Sequence, residues 1–113
     1  MQSEANLQAK CYRWAYNSYP QLRGLLFSVP NGGTRNIREA MALKATGLTP
    51  GIPDLILLYN GITGFEFKTS SGRLSPAQIK IHTIWRKNNI EVYLIRDEET
   101  FKEIIEKLVC KHY

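Results

Sequence analysis

Cysteine is scarce in this 113-residue chain: Cys11 and Cys110 stand near opposite ends, with no CxxC pair and no histidine cluster beside them. That usage excludes a disulfide-stapled fold and a zinc centre, and both cysteines are expected as reduced, half-buried helix residues. Long apolar runs are missing too. No window approaches the roughly 20 apolar residues of a membrane span, and the opening MQSEANLQAK lacks the basic-then-apolar order of a signal peptide. An intracellular protein with no membrane partner is therefore expected. Acids are in the minority, 10 against 15 lysines and arginines, and the net charge of +5 favours a polyanionic partner without identifying one. Histidine occurs only twice, as His82 within a helical pattern and His112 near the C-terminal end. Neither has a partner motif, and Ser28, Ser75 and the cysteines lack the base and orienting group that nucleophilic catalysis requires. Repeats, low-complexity tracts and linkers are also absent, so residues 1–113 are expected to form a single domain.

What is present reads as alternating helices and strands. From Ser3 to about Asn17, Glu4, Leu7, Gln8, Cys11, Trp14 and Ala15 recur at helical spacing and mark a core-facing stripe. Tyr12, Tyr16 and Tyr19 form a second row, either a broadened buried face or a partner surface. The run LLFSVP at 25–30 suggests a short buried strand closed by proline. After the loop NGGTRN, IREAMALKAT favours a helix by composition over 37–46, with Gly47 as its stop. DLILLY at 54–59 is typical of a strand buried on both faces, and NGITG signals a hairpin that returns FEFKT antiparallel to it. Ser75-Pro76-Ala77-Gln78 combines an N-cap serine, a proline at the first helical position and a capping-box glutamine. The helix it opens should run to about Asn88 with Ile81, Ile84 and Trp85 inward. IEVYLI at 90–95 is a further strand, and Asp97 caps a last helix with Phe101, Ile104, Ile105, Leu108 and Val109 inward. The order is α-β-α-β-β-α-β-α, an α/β chain.

The charged residues of the hairpin stand out. Side chains alternate along a strand, so Glu66 and Lys68 share one face while Phe65 and Phe67 take the other. A loop with an odd number of residues after Tyr59, as in a three-residue bulged hairpin, puts Asp54 on the same face. Two carboxylates a few ångström apart resist joint ionisation unless a cation lies between them. Mg²⁺ suits such a site, since it accepts one or two carboxylates and fills its other positions with water and phosphate oxygens. Lys68 could then stabilise charge developing on a phosphate, or orient and deprotonate attacking water. The competing possibility is a solvated strand face. The buried character of the flanking residues weighs against it.

Proline-aspartate at 53–54 followed by Glu66-x-Lys68 resembles the PD-(D/E)XK nuclease signature. The surroundings are more specific: NGG.R at 31–35, G..PGIPD at 47–54, FEFKT..GRLS..Q at 65–78 and SE...Q at 3–8. Together they are similar to the virus-type replication and repair nuclease family, VRR-Nuc, in its small stand-alone phage and bacterial form. The resemblance spans Glu4 to the strand at 90–95 and implies a restriction-endonuclease-like core, a mixed sheet flanked by helices.

Residue by residue, the resemblance implies that Asp54 and Glu66 bind the metal, with the main-chain carbonyl of Phe67 as a third ligand, and that Lys68 is the catalytic lysine. Glu4 matches the acid of the first helix, which would bind the metal or its water. Gln78 matches the motif glutamine, a role that competes with its capping-box assignment. Asn31, Gly32, Gly33 and Arg35 match a loop suited to phosphate, where glycines permit close approach and arginine clamps. Arg38, Lys44, Arg73 and Lys80 are further candidates for DNA phosphate contacts. The expected activity is Mg²⁺-dependent DNA endonuclease, with Mn²⁺ substituting, leaving 5'-phosphate and 3'-hydroxyl ends. Stand-alone members resemble resolvases of four-way (Holliday) junctions, and a homodimer would place two sites on a two-fold branched substrate. The alternatives are a flap or restriction-type nuclease, or a DNA-binding subunit that keeps the fold without cutting.

Overall fold

The computed structural model describes residues 2–30 and 36–110. Among these described residues four helices and four strands follow the expected order: α1 (Glu4–Ser18), β1 (Leu26–Ser28), α2 (Ile37–Ala45), β2 (Leu55–Leu58), β3 (Ile62–Phe67), α3 (Pro76–Lys87), β4 (Glu91–Ile95) and α4 (Glu98–Cys110). A short 3-10 turn, Pro20–Leu22, links α1 to β1. The strands form one mixed sheet in the order β1-β2-β3-β4, antiparallel except for the parallel β3–β4 pair. A parallel pair needs a long crossover, and α3 supplies it. No helix among the described residues is long and apolar enough to cross a membrane.

One face of the sheet carries the main core. Leu55 and Leu57 of β2, Phe65 and Phe67 of β3, Leu7, Cys11 and Ala15 of α1, and Phe101, Ile105 and Val109 of α4 form a single buried cluster. The rings of Phe65 and Phe67 both meet that of Phe101, at 5.0 Å and 5.9 Å between centroids. The opposite face is covered by α3. Its Trp85 lies so close to Gly64 that a Cβ there would come within 3.1 Å of the indole. β3 is thus enclosed from both sides, and Thr63 to Phe67 are buried without interruption.

Local chemistry accounts for the boundaries. The Ser3 side chain accepts from Asn6 N at 3.1 Å and caps α1. Asp97 Oδ1 accepts from Thr100 N at 2.8 Å at the start of α4, and this bond holds its carboxyl below the usual carboxylate range. The β2–β3 loop is Tyr59-Asn60-Gly61, three residues as a bulged hairpin requires, with Asn60 and Gly61 at φ 49° and 120°.

Several details depart from the sequence-based expectation. β1 is an edge strand in which only Leu26 is buried, so LLFSVP is not a buried run. β2 buries Leu55 and Leu57 on one face and exposes Leu58, so it is not enclosed on both sides. β3 begins at Ile62, three residues before FEFKT, because Ile62 to Gly64 pair with Leu58 to Ile56. The cysteines are not half-buried: Cys11 is in the core, where burial pushes its thiol up to about 12, and Cys110 is exposed. On α3, Ile84 faces solvent and the buried residue is His82.

Candidate active site

The β2–β3 register places Leu55 opposite Phe65, and continuing it by one step sets Asp54 opposite Glu66. With the odd loop, Asp54, Glu66 and Lys68 share the face toward α3, as alternation requires. Asp54 lies just beyond the end of β2 and continues its ladder with a side chain: Oδ2 accepts from Phe67 N at 2.8 Å. Before Asp54 the chain leaves the ladder: the Pro53 ring packs over Gly64, where a Cβ would come within 2.8 Å of its Cγ.

Glu66 is 1% exposed. Its Oε2 accepts from Gln78 Nε2 at 3.2 Å, and its Oε1 lies 2.9 Å from His82 Nε2. Burial pushes the Glu66 carboxyl up to about 9, helped by a hydrogen bond to the Asp54 side chain and by its charge, while Lys68 works in the opposite direction. Burial and Arg86 hold His82 below its ordinary value. Without a cation the arrangement therefore favours a protonated Glu66 beside a neutral imidazole.

Gln78 settles between its two expected roles by dividing its amide. Oε1 accepts from Ser75 N at 2.8 Å while Ser75 Oγ accepts from Gln78 N at 3.2 Å, completing the capping box. The amide Nε2 is left to reach Glu66. Gly51, at φ +94°, brings the loop before Asp54 against this helix start: a Cβ there would fall within the Ala77 carbonyl and 2.9 Å from Gln78 N. Glu4 arrives from the first turn of α1, and a Cβ on Gly72 would lie 3.3 Å from its Oε2 and 3.4 Å from Lys68 Cδ. Its charge also acts on Glu66.

Among the described residues no group of three or more His, Cys, Asp or Glu side chains is gathered to hold a metal ion. What converges is a pair of carboxylates, Asp54 and Glu66, with Glu4 standing off. This fits Mg²⁺, which takes few protein ligands and retains water.

The other candidates are dispersed. Arg38 and Lys44 are on α2, Arg73 in the loop after β3 and Lys80 on α3, all exposed and none in an ion pair with a described residue. Asn31, Gly32, Gly33 and Arg35 lie outside the described residues, as does His112. Two residues were missed from sequence. His82 has no partner motif in the sequence, and its partner in the fold is Glu66; the signal is its position four residues after Gln78, on the same helical face. Arg96 follows β4 and donates Nη1 to the carbonyls of Thr69 and Gly72, the latter at 2.8 Å, fixing the turn that follows Lys68. Beside Glu4 and Asp54 in sequence, Ala5 and Leu55 help line a groove of about 580 Å³ with Gln8, Tyr12, Phe27 and Ser28.

The VRR-NUC domain family model matches residues 1–98. A solved structure described as a "VRR_NUC domain protein" is similar in fold, with a TM-score of 0.79 at 18% identity, over 96% of this chain and 89% of that one. No curated protein matches the chain in sequence.

Proposed function

The chain belongs to the VRR-NUC domain family, and from that premise we propose that it is a divalent-metal-dependent endonuclease acting on branched DNA, four-way junctions foremost. Family membership carries nuclease-type function. The observation supporting metal-dependent cutting is the buried Glu66 carboxyl facing Asp54, both oxygens engaged, at the end of a strand that leads into Lys68. A buried acid so placed is expensive unless it has work to do.

In this reading Asp54, Glu66 and the Phe67 carbonyl would hold Mg²⁺, or Mn²⁺ in its stead, which would supply positive charge for a phosphate oxygen and a more acidic water at neutral pH. Lys68 stabilises negative charge as it builds on the phosphate and helps orient the attacking water. Glu4 meets Lys68 beside Gly72 and would hold the ion's water. Gln78 keeps Glu66 in place and touches the site from a helix start. Arg38, Lys44, Arg73 and Lys80, with Arg35 and its neighbours Asn31, Gly32 and Gly33, supply phosphate contacts on a chain of net charge +5. So short a chain, with no separate base-reading module, suits recognition of DNA shape. A homodimer, with the exposed Tyr16 of α1 at its contact rather than Tyr12 and Tyr19, which pack against the core, would set two sites on one junction.

The test is a Mg²⁺ titration with labelled linear duplex, flap, fork and four-way junction at equal concentration. Metal-dependent paired incisions in the junction, with the other substrates cut more slowly, are expected. Preference for flap or linear duplex would replace the substrate assignment, and binding without cutting at saturating Mg²⁺ and Mn²⁺ would make the protein a DNA-binding subunit.

A further inference from the structure

Besides Asp54, Glu66 is gripped by two residues of one helix. Gln78 and His82, one turn apart on α3, take one carboxylate oxygen each, at 3.2 Å and 2.9 Å. The amide of Gln78 cannot turn over, because its other end accepts from Ser75 N at 2.8 Å. His82 is 2% exposed and Glu66 1%, so water cannot replace either partner. A carboxylate bonded at only one oxygen can still swing about its terminal torsion. Bonded at both, it presents its remaining lone pairs in one direction.

We propose that His82 is a positioning residue that orients Glu66 for a divalent cation, an inference that rests on the nuclease reading above. The imidazole itself touches neither ion nor substrate. Its contribution is to remove the freedom that Glu66 would otherwise lose on binding the ion, the role that outer partners play toward ligating side chains.

His82→Phe retains the volume of a ring and removes the nitrogen. The expected result is a folded protein whose Mn²⁺ dissociation constant, by isothermal titration calorimetry, rises about 10- to 100-fold, with cleavage recovering as Mn²⁺ is raised. His82→Gln, which restores an N–H at similar reach, should recover most of the affinity. A folded His82→Phe protein with wild-type Mn²⁺ affinity overturns the inference, even if its melting temperature falls, because that would be packing alone. Wild-type protein that binds no Mn²⁺ would overturn the nuclease reading instead. Should His82→Phe not fold, the imidazole ¹⁵N resonances of the wild-type protein decide. A saturable shift of the His82 signals on Mg²⁺ addition supports the role, and unmoved signals overturn it.

Discussion

α2 and α3 are helices of similar length with opposite foundations. α2 has strong helix formers in REAMALKA and a proper cap, since Asn36 Oδ1 accepts from Glu39 N at 2.8 Å, yet it buries no residue. Ile37 and Met41 on it are 79% and 66% exposed. α3 is built from poorer material: proline at its start and Ile79, Ile81, Thr83 and Ile84 along it, β-branched residues that lose side-chain freedom in a helix. It is anchored instead by a capping box, by the loop at Gly51, by Trp85 against Gly64 and by two bonds to Glu66. α2 rests on propensity and its cap, and turns apolar as well as charged side chains outward. The helix that defines the site is held by its contacts.

That contrast can be broken first at Glu66. A neutral amide copies the shape of the protonated acid and can still bond both Gln78 and His82. Glu66→Gln should therefore keep the metal-free fold while single-turnover cleavage falls to background. Wild-type cleavage by this variant would remove Glu66 from the chemistry. Next in size is the core beneath: Phe65→Ala should destabilise by about 3–5 kcal/mol in urea unfolding, and a loss under about 1 kcal/mol would mean that the sheet is held elsewhere.

A smaller effect follows from protonation. Folded, metal-free protein keeps the Glu66 proton up to about 9, whereas the unfolded chain releases it near the ordinary carboxylate value. Between those limits the folded state binds more protons, so stability should fall as pH rises, by at most about 1.4 kcal/mol per pH unit. Mg²⁺ favours the ionised form and should flatten that slope. Urea midpoints at several pH values, with and without Mg²⁺, give the comparison. A slope equal to that of Glu66→Gln, which has no proton to lose, would contradict it. The smallest effect belongs to α2, where Met41→Ala should change stability by less than about 0.5 kcal/mol. A larger loss would reveal a surface that covers this helix in solution.

Much of the site was legible in sequence because period-two alternation is strict. Once Glu66 and Lys68 share a strand, they share a face, and the three-residue hairpin brings Asp54 to it. The start of α3 was legible for a local reason too, since Ser75-Pro-Ala-Gln carries its cap within four residues. Long-range matters were less visible. The apolar residues of α3 predict Ile84 inward, whereas the helix turns toward the strand the face whose His82 satisfies a buried acid. Arg96 gave no pattern to read, because its partners are main-chain carbonyls more than twenty residues away. β1 was expected to be buried because its run is apolar, but an edge strand three residues long can leave Phe27 half in solvent.

The close passage at Gly51 has a mechanical consequence. The loop leading to Asp54 and the helix bearing Gln78 and His82 touch backbone to backbone where glycine carries only hydrogen. Any side chain there acts as a spacer, prising the acid away from the helix that braces its neighbour. The tolerance of the whole constellation is thus set by one missing methyl group, at a position that meets neither ion nor phosphate.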